Sequence, residues 1–76
     1  MTLNEFVKEL KHRSTYINVF YNAKIMFLGT VGEYSTHIIK DKIGSIPIAK
    51  IEPLTEGNLN IFLNVGQWLI NKLLIS

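Results

Sequence analysis

His37 and Asp41 stand four residues apart. That spacing places an imidazole and a carboxylate on one face of a helix, where they could share a proton or begin a metal site. Either site needs further ligands or partners, so the pair reads first as a solvated polar face. Serine, histidine and acids all occur, but no serine sits in a G-x-S-x-G elbow. Gly29-Thr30-Val31-Gly32 has the look of a phosphate loop. It lacks the G-x-x-x-x-G-K-[ST] spacing and the strand-then-helix setting that aims backbone N–H groups at phosphate, and a bulge in a bent strand is the expectation. The reading is a chain that is not an enzyme, with no cofactor and no metal.

Two further groups could bind rather than react. Lys8, Lys11, His12 and Arg13, close to Tyr16, could neutralise phosphates while the aromatic ring stacks on a base. Glu5 and Glu9 dilute that field, and a charged helix exterior explains the same residues. His12 then serves the helix dipole. At the other end, Trp68, Leu69, Leu73 and Leu74 lie in a segment with apolar residues around most of its circumference. It either closes the core or forms an interface with a partner or a second copy.

Composition narrows the frame. The 76 residues allow one domain, 1–76, with one core. An apolar fraction of 47% supports folding, and 18% charged residues argue against disorder. No cysteine is present, which removes disulfides and thiolate metal sites. Seven lysines and one arginine against six acids leave a net charge of +2, far from a dense nucleic-acid footprint. No leader pattern is evident, and the apolar-rich 65–75 is short of the roughly 20 residues that span a bilayer. No membrane association and a cytoplasmic location are therefore expected.

The elements follow from periodicity. Leu3, Phe6, Val7 and Leu10 make one helical stripe. Thr2 and Glu5 have capping-box spacing, and the helix is expected from Thr2 to about His12. From Thr15 to Tyr34 the period becomes two, with a turn at Asn22-Ala23-Lys24 and a bulge or bend at Gly29 and Gly32. Ser35 or Thr36 could cap a short helix stopped by Gly44, and an irregular crossover fits the same residues. Ile46 to Leu54 reads as a strand that Pro47 and Pro53 push to an edge or split. After a turn at Glu56-Gly57-Asn58, Leu59, Ile61, Leu63 and Val65 alternate with Asn60, Phe62 and Asn64, as in an antiparallel sheet covered on one side. The expected fold is α+β: an N-terminal helix, a small antiparallel sheet of about four strands, and a C-terminal helix or extension.

The succession of the capped helix, Ile17-Asn18-Val19, Leu28-Gly29-Thr30-Val31, Ile51-Glu52-Pro53 and Leu59-Asn60-Ile61-Phe62-Leu63 resembles small phage and prophage proteins of Gram-positive bacteria, over roughly residues 2–64. Some phage proteins of this size inhibit host defence machinery, anti-CRISPR proteins among them. The resemblance implies a steric protein-interaction module acting in the host cytoplasm on a target such as a CRISPR effector, and it supplies no catalytic residue. The expected interface is Trp68, Leu69, Leu73 and Leu74, which could also make a homodimer, with Lys8, Lys11 and Arg13 as rim charges. The alternative is a small nucleic-acid-binding regulator using Lys8, Lys11 and Arg13.

Overall fold

The computed structural model describes residues 1–64. The expected C-terminal helix or extension falls outside them. The first helix, α1 (Leu3–Glu9), opens with the capping box: the Thr2 hydroxyl accepts from the Glu5 N–H at 3.3 Å, and the Glu5 carboxylate accepts from the Thr2 N–H at 2.9 Å. The helix stops short of His12. Leu10 caps it in an extended conformation, because the chain beyond is recruited elsewhere: the Arg13 and Thr15 carbonyls accept from Gly32 and Val31.

Strands β1 (Tyr16–Tyr21) and β2 (Lys24–Thr30) form an antiparallel hairpin. Asn22 and Ala23 close it with φ of 56° and 64°, the two-residue geometry that matches the twist of the strands. The bulge lies at Met26, where the register slips between Val19 and Phe20, and not at Gly29 or Gly32. Gly32 belongs instead to α2 (Val31–Thr36), which a second capping box, Thr30 with Glu33, starts directly at the strand's end. A separate helix, α3 (Ile39–Ile43), follows without a side-chain cap. Ser35 and Thr36 thus close α2 and do not begin α3.

The remaining strands, β3 (Ile48–Pro53) and β4 (Leu59–Leu63), pair antiparallel around a turn with positive φ at Glu56 and Gly57. The sheet order is β2-β1-β4-β3. β3 lies at an edge, where Pro53 within it and Pro47 just before it are tolerated. The central pair β1–β4 runs parallel, so the sheet is mixed where an all-antiparallel one was expected. Alternation reports that one face is covered; it carries no information on strand direction. Because β2 and β3 point the same way, α2 and α3 carry the chain back from one end of the sheet to the other.

Among the described residues, α1, α2 and α3 all contribute to one core. Leu3 and Val7 of α1, Val31 and Tyr34 of α2 and Ile43 of α3 are buried with Ile17, Val19, Phe27, Ile61 and Leu63 of the sheet. The first turn of α1 is fastened to the segment leading into β3. Leu3 and Asn4 donate to the carbonyls of Ile46 and Gly44 at 3.1 and 2.9 Å, and Ile48 donates to Met1 at 2.9 Å. The first two bonds occupy donors that a helix N-terminus leaves open. Gly44 has an ordinary helical φ of −64°, but a Cβ there would collide with the Asn4 side chain and the Lys40 carbonyl.

Two substitutions separate these local demands. Ala23→Gly should raise stability by about 1 kcal/mol by relieving left-handed strain. Gly44→Ala should lower it by about 2 kcal/mol or more, since the clash includes backbone. Urea unfolding of both variants checks the opposite signs.

Candidate functional site

The residues that suggested chemistry are drawn into structural roles. His37 caps the end of α2, its Nδ1 accepts from the Ile39 N–H at 3.0 Å, and its ring meets Phe27 edge-on at 5.5 Å. Asp41 lies on the following helix, so the two do not share a helix face. Among the described residues no group of three His, Asp or Glu side chains is placed to hold a metal ion. The segment Gly29–Gly32 does have the strand-then-helix setting that its sequence seemed to lack. Its N–H groups are spent internally, however: Val31 on Thr15, Gly32 on Arg13 and Glu33 on the Thr30 hydroxyl. Thr30-x-x-Glu33 repeats the Thr2-x-x-Glu5 signal, and that repeat was the legible sign of a helix start.

Lys8 sits in the last turn of α1, and Lys11, His12 and Arg13 lie in the loop after it. All four are exposed, but only Lys8 belongs to the helix, so they do not form one stripe. Trp68, Leu69, Leu73 and Leu74 lie outside the described residues.

A surface that the sequence did not announce emerges on the sheet's other face. Strand alternation turns Tyr16, Asn18 and Phe20 of β1, Ile25 and Leu28 of β2, Asn60 and Phe62 of β4, and Lys50 and Glu52 of β3 away from the helices. Phe20 and Phe62, directly paired across the parallel strands, stack at 5.0 Å with an interplanar angle of 15°. Beside them runs a polar ladder. Asn18 Nδ2 donates to Asn60 Oδ1 at 2.9 Å, Asn60 Nδ2 donates to Glu52 Oε1 at 3.3 Å, and Glu52 pairs with Lys50 at 3.6 Å. Lys50 also approaches the Phe62 ring at 5.9 Å. Around this centre Tyr16, Ile25 and Leu28 are 54%, 58% and 60% exposed. Finding this face required knowing that β1 neighbours β4, a pairing 42 residues apart that periodicity does not report.

The helical side holds a shallow cleft of about 340 Å³ between Asn4, Val7, Lys8, Tyr34, Ser35 and Lys40. Tyr34 is 1% exposed, and its hydroxyl donates to Asn4 Oδ1 at 2.9 Å. Burial, with the nearby charge of Asp41, pushes its pKa up to about 12. The protonated form is therefore favoured in the folded state, and this contribution to stability is intact below pH 10.0 and lost as pH rises toward about 12. At the caps the effect is opposite. Bonds from Thr2 and Thr30 hold the Glu5 and Glu33 carboxyls below their ordinary range, so their contribution fades as pH falls below that range.

In an alkaline titration of tyrosinate absorbance, Tyr34→Phe should remove a step centred near pH 12. Removal of a step near pH 10 instead would place the Tyr34 hydroxyl in water. No family model, curated protein or solved structure matches this chain.

Proposed function

We propose that the open face of the sheet is a protein-docking surface and that the chain works as a non-enzymatic interaction module. The supporting observation is the grouping of exposed Tyr16, Ile25 and Leu28 around the Phe20–Phe62 stack, on the face opposite all three helices. Aromatic and large aliphatic side chains concentrate at interface centres, where they give more affinity than polar rims. Lys50 and Glu52 form such a rim on the β3 side.

Scale matters here. Four strands about 4.8 Å apart and five residues at about 3.3 Å give a face of roughly 300 Å². A standard interface buries about 800 Å² per partner. The face thus supplies the anchors, and surrounding surface completes the contact. Trp68, Leu69, Leu73 and Leu74 keep their proposed part in that contact, including a homodimer. The resemblance to small phage proteins gives the reading its specific form: steric inhibition of a bacterial defence complex such as a CRISPR effector. The nucleic-acid reading has less support, since Lys8, Lys11 and Arg13 are divided between a helix and a loop.

Leu28→Asp places a charge on an exposed position and should shift stability by no more than about 0.5 kcal/mol. In cells with an active CRISPR effector, expression of the wild-type chain should restore plaque formation by a targeted phage. Leu28→Asp should abolish that restoration while its melting temperature stays near wild type. Failure of the wild type to protect overturns the defence-inhibitor form. Protection unaffected by Leu28→Asp and Ile25→Asp overturns the docking surface.

A further inference from the structure

We propose that the cleft between α1, α2 and α3 is an anion-binding site, suited to an oxyanion of the phosphate or carboxylate type. It lies on the helical side, opposite the open sheet face, and does not depend on the docking reading.

Its chemistry is one-sided. Buried Val7 and Tyr34 provide an apolar floor. The Tyr34 proton is spent on Asn4 Oδ1 and the Ser35 proton on the Val31 carbonyl, each at 2.9 Å. Lys40 Nζ gives one proton to the Ser35 carbonyl at 2.8 Å, and its ammonium carries two more. Lys8 makes no ion pair within contact distance among the described residues, where the salt bridge is that of Lys50 with Glu52. Glu5 feels the charge of Lys8, but its carboxylate is held in the capping box.

Among the described residues no carboxylate lines the cleft. Asp41 follows Lys40 directly and acts on Tyr34 without entering the lining. What the cleft offers is therefore mainly donors: the side chains of Lys8 from α1 and Lys40 from α3, and the amide of Asn4. A concave site of one sign concentrates counter-ions, and a group with only acceptors satisfies such donors through charge-assisted bonds. The volume of about 340 Å³ equals roughly ten waters at about 30 Å³ each. That exceeds a bare phosphate and leaves room beside the oxyanion for hydration water or for the body that bears it.

The test is a two-dimensional ¹H–¹⁵N NMR titration of the full chain at low salt, with inorganic phosphate in one arm and succinate in another. Sodium chloride at matched ionic strength is the control. Saturable shifts should centre on Asn4, Lys8, Ser35 and Lys40, with an affinity on the order of millimolar, and the stronger arm identifies the oxyanion. Lys8→Gln should weaken binding about three- to fivefold, the weight of one partly exposed ion pair. Lys8→Gln with Lys40→Gln should abolish saturation while distant resonances superimpose on wild type; Lys8→Gln alone decides if the double variant misfolds. Shifts matched by chloride, spread equally to Lys24 and Lys50, or unchanged in Lys8→Gln overturn the site.

Discussion

The structure depends on the seating of α1 against the segment that enters β3. The N–H groups of Leu3 and Asn4 reach the carbonyls of Ile46 and Gly44 only because residue 44 has no side chain. From that contact the rest follows. Asn4 is positioned to accept from Tyr34, which ties α1 to α2, and Leu3 and Val7 reach the sheet. The apolar side of every helix is thereby spent on one face. In a chain this small, no helix among the described residues remains for the other.

The first helix, the hairpin turn at Asn22 and Ala23, and the edge position of β3 were all legible in the sequence because each has a local cause. A capping box, a left-handed asparagine and a proline act within a few residues of themselves. The errors arise where the cause is distant. The helix stops before Lys11 because α2 uses the carbonyls of Arg13 and Thr15, although nothing from Lys11 to Ser14 forbids another turn. The parallel β1–β4 pair reflects a chain reversal across two helices, and alternation looks the same for either strand direction. Thr30-x-x-Glu33 was the local signal that could have been read. The two glycines beside it favour a bend on local propensity alone.

The functional surface shows the same division. Tyr16, Phe20, Ile25 and Leu28 each appeared in the sequence as one half of an alternating strand. What makes them a surface is register: Phe20 opposite Phe62, Asn18 opposite Asn60, and both sets on the side that no helix among the described residues covers. The Asn18–Asn60–Glu52 ladder joins β1, β4 and β3 through side chains, so the face resists slippage that would turn its residues inward. The helical side works differently. Its apolar groups are consumed in packing, and Lys8 and Lys40 are the charged residues among those described that line its small cleft. One molecule thus offers an aromatic face and, behind it, a basic hollow.

The central claim is that the described residues cover the sheet on one side only. Methyl relaxation measured with a soluble paramagnetic agent tests it directly, because enhancement falls steeply with distance from water. The account predicts strong enhancement at Ile25 and Leu28 and protection at Ile17, Ile61 and Leu63, which are 0–2% exposed. Equal protection at both sets would contradict it, since the face proposed for docking would then be occupied within the molecule itself.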